Sequence, residues 1–416
     1  TVLDIFSFKK ARTRKPVPET WRKGKFLLLA VILIAALFGN LSLLILDPIS
    51  LWVRTLSGGV APVLDTAFTA AEHFLANIAW LNGPLVWLDQ LVRPAILPLE
   101  PVGARLVWLP LLIFSSIILL NLRAERFWCR YLCPLGGLLG WISKIALFKR
   151  QVGSDCTQCG LCNRACPTGT IDPARGYASD PAECTLCMNC LSSCPKGKTS
   201  FRPAISLAEK QTYDLTRRDF LVGGAAALTG LAVLGAENLE RSAPTTLIRP
   251  PGVLGDEFLS QCVRCGLCMR ACPTGALQAS ISESGLSGFL TPVLVPRFGY
   301  CLYSCNECGQ VCPSGAIPPL TLEEKRIEVI GHAYIDQNRC LPWADGSSCI
   351  VCEEMCPLPE KAITLEEREI VRSDGTVGVI RLPHVQRDLC TGCGICENKC
   401  PLVGEAAIRV YRVDVG

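Results

Sequence analysis

Two uncharged runs, residues 26–46 and 106–122, dominate the first third of the chain. An apolar stretch of about 20 residues can cross the roughly 30 Å hydrocarbon core as a helix, so each predicts a membrane span. Lys9, Lys10, Arg12, Arg14, Lys15, Arg22, Lys23 and Lys25 precede the first run, and Arg123, Arg126 and Arg130 follow the second. Such basic flanks predict that both outer ends face the cytoplasm. Between the runs, residues 63–81 and 85–97 mix Leu, Ala and Trp with Asp65, Glu72 and Asp89. That mixture predicts helices lying in the membrane interface, with Trp80 and Trp87 as anchors and His73 on a polar face. Long apolar runs stop before residue 237.

Composition changes the picture through one residue type. The 416-residue chain has 26 Cys and three His. Its net charge of +4 is too small to argue for nucleic acid, and no nucleic-acid motif appears. Disulfide frameworks do not repeat one fixed spacing, and structural zinc favours two separated Cys-x-x-Cys pairs. The repeated pattern here is Cys-x-x-Cys-x-x-Cys-x-x-x-Cys-Pro, which is the run for bacterial [4Fe–4S] ferredoxins.

Residues 151–202 carry two such runs: Cys156, Cys159, Cys162, Cys166 and Cys184, Cys187, Cys190, Cys194. In two-cluster ferredoxins the fourth Cys of each run crosses to the other cluster. One cluster is therefore expected on Cys156, Cys159, Cys162 and Cys194, and the other on Cys184, Cys187, Cys190 and Cys166. Residues 255–416 carry four more runs, and the same rule gives four more groups. These are Cys262, Cys265, Cys268 with Cys312, and Cys301, Cys305, Cys308 with Cys272. Cys340, Cys349, Cys352 with Cys400, and Cys390, Cys393, Cys396 with Cys356, complete the set. Cys301 stands four residues before Cys305 and Cys340 nine before Cys349; a longer loop can still deliver a thiolate. After the closing prolines an Ala-Leu or Ala-Ile pair recurs at 276, 316, 362 and 407, predicting one short helix and one strand per half-unit. Six clusters take 24 cysteines and leave Cys129 and Cys133.

Those two lie in Arg126-Phe127-Trp128-Cys129-Arg130-Tyr131-Leu132-Cys133-Pro134. At spacing four they share one face of a helical turn, as candidates for a relay or further metal, a thiol pair or simple packing. Arg126 and Arg130 are candidates to hydrogen-bond a quinone oxygen, with Trp128 and Tyr131 as walls; arginines anchoring a helix at headgroups would look the same. Thr216-Arg217-Arg218-Asp219-Phe220 opens a weakly apolar run within 216–241, which reads as a twin-arginine export signal kept as an anchor. Residues 1–7 echo 137–143, which suggests an upstream half-repeat ending in its own Cys-Pro.

The fold expected is α+β: membrane helices over 1–150, a cytoplasmic two-cluster ferredoxin over 151–202, and a periplasmic four-cluster domain of ferredoxin-like repeats over 255–416. Residues 26–202 resemble the NapH-type membrane quinol dehydrogenase subunit of periplasmic nitrate reductase systems. Residues 216–416 resemble NapG/MauM-type ferredoxins, which have a twin-arginine leader and four clusters. The resemblance implies a fusion in the cell inner membrane that moves electrons between the quinone pool and a periplasmic redox enzyme or cytochrome. The family has two Cys-x-x-x-Cys-Pro motifs and four helices; this chain shows one motif and two runs. Other readings are a carrier from a cytoplasmic low-potential donor, or a maturation factor for a periplasmic metalloenzyme. No flavin, haem or nucleotide motif appears, so the chain reads as an electron-transfer component with no catalytic residue of its own.

Overall fold

A computed structural model describes residues 19–37, 41–78, 80, 82–95, 108–124, 126–143, 148–203, 217–218, 221–225, 228–229, 247–253, 257–281, 283–285, 288–371 and 377–412. The chain divides into two compact units: residues 1–39, 46–49 and 112–232 form the first, and 40–45, 50–111 and 233–416 the second. Residues 1–7, most of the twin-arginine run and most of the linker at 242–255 lie outside the described residues. Arg217 and Arg218 are described, helical and exposed.

The expected spans need correction. Residues 26–46 do not form one helix: a helix Lys23–Leu37 is followed by a separate 3₁₀ turn Ser42–Leu46. Gly39 and Asn40, both poor helix formers, separate them in sequence. The second run is the 13-residue helix Trp108–Leu120. At 1.5 Å per residue even the 15-residue Lys23–Leu37 rises only about 22 Å. Among the described residues no helix is long and apolar enough to cross a membrane.

In the first unit the ferredoxin segment is built by nested pairing. β1 (Phe148–Val152) precedes the first cysteine run and pairs antiparallel with β4 (Thr199–Pro203), which follows the second. β2 (Ile171–Asp172), after the first run, pairs with β3 (Ala178–Ser179), before the second. The end of each run thus returns to the start of the other. Each run also needs left-handed backbone, supplied by Gly160 in the first; in the second, Met188 accepts φ 60° at the matching position. Ile171, Tyr177 and Cys190 form the small core.

The same nesting recurs in the second unit. β7 (His332–Ile335) pairs with β10 (Ile408–Tyr411), and β8 (Ile363–Val371) pairs with β9 (Val377–Val385). Among the described residues the preceding half keeps only its inner pair, β5 (Leu277–Ala279) with β6 (Pro292–Leu294). The strand expected after Cys312 is absent among the described residues. Pro318 and Pro319 follow Ile317, and proline has no N–H to give a ladder. The recurring pairs Ala276–Leu277, Ala316–Ile317, Ala362–Ile363 and Ala407–Ile408 are all buried, so the half-units pack through them.

The segment expected in the membrane interface forms helices Ala61–Leu75 and Asn82–Ala95 in this unit. Their polar groups turn inward: Arg93 pairs with Asp65, Glu72 and Asp89. Their apolar groups turn outward, with Phe74 74% and Trp87 65% exposed, as is Trp80 between them.

Candidate metal centres

Burial and neighbours sort the cysteines into sets. Burial raises the Cys184 thiol, and Cys166, Cys190 and Cys187 raise it further, so Cys166 lies near the second run. Burial also raises Cys162, beside Cys156 and Cys159. Cys194 has a different surrounding: the backbone N–H of Lys198 leads in lowering it.

In the second unit Cys268 is raised well above a free thiol by burial, next to Cys262, Cys265, Cys308 and Cys312. Burial pushes Cys308 up to about 12, with Cys301, Cys272 and Cys305 around it. Cys340 is raised by burial beside Cys349 and Cys400. The nine-residue interval is taken up by a short helix, Leu341–Ala344, that starts from Cys340 with Pro342 in its first turn. Cys393 is pushed up to about 11 by burial, near Cys301, Cys390 and Cys356.

These sets also touch one another in series. Cys268 neighbours Cys308, and the Cys301 N–H donates to the Cys393 carbonyl at 2.8 Å. Cys352 neighbours Cys396. The order in space is therefore the 262 set, the 301 set, the 390 set and the 340 set. It differs from the order in sequence because the last two sets are exchanged.

The donors fit an iron–sulfur group. They are thiols gathered in apolar surroundings, without carboxylates in the sets. Among the described residues no three His, Cys, Asp or Glu converge as a single metal ion would require; a cubane is larger and spreads its ligands. Hydroxyls support the crossing cysteines, with Thr168 Oγ1 3.4 Å from Cys166 Sγ and Thr274 Oγ1 3.6 Å from Cys272 Sγ.

Several charged residues near the thiols were not singled out by the sequence. Arg54, Arg249 and Arg264 surround Cys262; burial pulls Arg54 and Arg249 down to about 10 and lowers Arg264. Lys325 lies beside Cys301 and donates to the Leu302 carbonyl at 2.5 Å. Arg150 lies near Cys162.

In the first unit Arg22 and Lys25 are buried rather than spread at a membrane surface. Lys25 Nζ meets Glu183 at 2.5 Å, and Arg22 donates to the Gly169 carbonyl at 2.9 Å. They tie the apolar helix to the ferredoxin segment. Gly140 makes the same contact possible, because a Cβ there would stand 2.7 Å from the Ala182 carbonyl oxygen.

Cys129 and Cys133 do not share one environment, contrary to the one-face expectation. Trp128–Leu132 is a π-helical turn that leaves Cys129 exposed. Cys133 is buried and caps the helix Pro134–Ile142, its Sγ accepting from Gly136 N at 3.2 Å. Burial raises its thiol. Arg130 stacks on Tyr131, 5.2 Å from the ring centroid, and lies near Cys166. Its Nε and Trp128 Nε1 are buried without partners among the described residues. Arg126 adopts φ 53° at the start of this turn.

Family models for 4Fe-4S domains match four stretches of the chain. A 4Fe-4S dicluster domain matches residues 261–316, and 4Fe-4S binding domains match 106–154, 383–402, and 156–170 with 184–198. The methylamine utilization ferredoxin-type protein MauM of Methylorubrum extorquens is 39% identical over 210 residues, covering 48% of this chain and 91% of the relative. The chain belongs to the NapG/MauM family of ferredoxin-type proteins. The ferredoxin-type protein NapG of Escherichia coli is 38% identical over 213 residues, covering 48% of this chain and 87% of its own. NapF of the same organism is 30% identical over 158 residues, 37% of this chain and 80% of NapF. No solved structure matches. This NapG/MauM member is an electron-transfer ferredoxin; the family match spans about half of it, and the 106–154 match lies across Cys129 and Cys133.

Proposed function

We propose that the chain is a membrane-bound fusion of a NapH-type part and a NapG/MauM-type part that passes electrons between the quinone pool and a periplasmic redox partner. The 24 cysteines of the six sets would hold six [4Fe–4S] clusters, with Cys194 completing the set of Cys156, Cys159 and Cys162. Bound there, the clusters supply one-electron carriage. The observation that carries the reading is the series of thiol sets, joined at the Cys301 N–H to Cys393 carbonyl bond. Within the second unit the four sets lie in a series rather than as isolated storage sites, which favours a carrier over a maturation factor.

Membrane attachment is supported by the outward-facing apolar residues, among them Trp80, Trp87 and Trp108. A monomeric soluble protein rarely exposes so many large apolar side chains together. Arg126, Trp128 and Arg130 are proposed to meet a quinone head group beside the two-cluster segment, where the unpartnered Trp128 Nε1 and Arg130 Nε lie. The twin-arginine run is proposed to carry the four-cluster domain to the periplasm, leaving residues 151–202 in the cytoplasm.

The test uses the full-length, iron-loaded protein in lipid nanodiscs. Added quinol should bleach the visible iron–sulfur absorbance, and Arg130→Gln should slow the bleaching with iron content unchanged. No bleaching of the wild type by any quinol would overturn the quinone reading.

A further inference from the structure

Within the second unit a cleft of about 90 Å³ lies against the π-helical turn Thr55–Val60 and the first cysteine run. By this measure one water needs roughly 10–15 Å³, so the cleft has room for a small ring. Pro62, Met269 and Leu290 give it apolar walls, and Arg54, Ser57 and Gln278 are polar members. π-Turns are rare and concentrate at functional sites.

Arg54 is only 5% exposed. Its Nε donates to the Arg264 carbonyl at 2.9 Å, and Nη2 donates to the same oxygen. Its Nη1 is buried with no partner among the described residues. A buried charged donor without an acceptor is costly. Of the other polar members, Gln278 already spends its amide N–H on the Gly275 carbonyl at 2.7 Å. The cleft also borders the proposed cluster ligands. Gly266 and Met269 line it and adjoin Cys265 and Cys268 in sequence, and a Cβ on Gly266 would stand 3.5 Å from Ser57 Oγ.

We propose that this cleft binds the ring of a quinone or quinol. One ring oxygen accepts from Arg54 Nη1, and the ring lies against the apolar walls. Arg54 Nη1, a buried donor without a partner among the described residues, suits a ring carbonyl, whereas a lipid phosphate asks for several donors. The helix Ala61–Leu75 starts at the cleft and exposes Val63 and Leu64 in its first turn, so the neighbouring surface is one that a lipid-dissolved ligand meets. The proposal rests on the quinone reading above. It adds a position on the four-cluster unit, beside the first thiols of the series, to the one at Arg126, Trp128 and Arg130.

Equilibrium dialysis of a short-chain ubiquinone against the iron-loaded full chain in nanodiscs tests it. Arg54→Gln should weaken binding by roughly tenfold or more. Gly58→Leu should do the same without touching the Arg54 bonds, since a Cβ at Gly58 meets only Pro110 Cγ at 3.9 Å. Wild-type affinity in Gly58→Leu and Arg54→Gln overturns the proposal. So does loss of all binding in Arg130→Gln alone, or a phospholipid that the ubiquinone does not displace. If the cleft variants leave binding intact while quinol still bleaches the wild type, the cleft falls and the function stands. If the cleft variants lose binding but no quinol bleaches the wild type, the quinone function falls and the site stands.

Discussion

The two cysteine-rich halves of the second unit, 262–313 and 340–401, repeat a similar motif yet have different charged neighbours. The first gathers Arg54, Arg249 and Arg264 around Cys262. The second places the carboxyl of Glu397 next in sequence to Cys396, where burial raises it and Val410 N donates to it at 2.7 Å. The halves differ in strands too: among the described residues the second has both nested pairs and the first only the inner one. A repeated motif therefore fixes what is bound, while the residues packed around it tune each copy. Cations near a cluster favour its reduced form, so the first half is expected to hold the higher potential.

The largest break in the comparison comes from the crossing cysteines. Cys312→Ser should disturb the set of Cys262, Cys265 and Cys268, and Cys356→Ser the set of Cys390, Cys393 and Cys396. Each should lower bound iron by about one cluster; iron analysis with electron paramagnetic resonance checks which signal goes. Loss of the signal belonging to the mutated run itself would refute the crossing.

Next comes the strand difference. Trp343 Nε1 donates to the Pro383 carbonyl at 3.2 Å, and its ring packs on His384 and Arg368. Trp343→Ala should cost about 3 kcal/mol and loosen β9, read as lower thermal stability and faster amide exchange confined to the second half. Arg249 donates to Thr291 Oγ1 at 2.8 Å and to the Pro292 carbonyl at 3.0 Å. Arg249→Gln should lower the potential of the first set by roughly 50–100 mV, measured by redox titration, and leave the second half alone.

The smallest effect is at Glu397. Its folded pKa is raised, so the fold holds the proton more tightly than the unfolded chain and loses stability as pH rises past the unfolded value. Glu397→Gln should therefore stabilise at neutral pH and above, with the gain vanishing in acid. Denaturant midpoints at two pH values test this; equal shifts at both would contradict it.

Much of the metal chemistry was legible because it depends on spacing. The runs needed only the motif, whereas the nine-residue gap before Cys349, expected as a loop, holds the short helix Leu341–Ala344. The outer strand pair that Pro318 and Pro319 prevent was missed because the Ala-Ile repeat dominated the reading. The role of Arg54 was not legible, because its acceptor at Arg264 lies 210 positions away. Lys25 and Glu183 are likewise 158 positions apart.

The sequence by itself determined the cofactor class, because metal-ligand runs are local and repeat with fixed intervals. It also marked which surfaces would be apolar. Only the tertiary structure decided the order of the thiol sets, with the 301 set meeting the 390 set through a backbone bond, and the charges that surround each. Those contacts join residues far apart along the chain, and no local spacing encodes which buried arginine comes to rest beside which thiol.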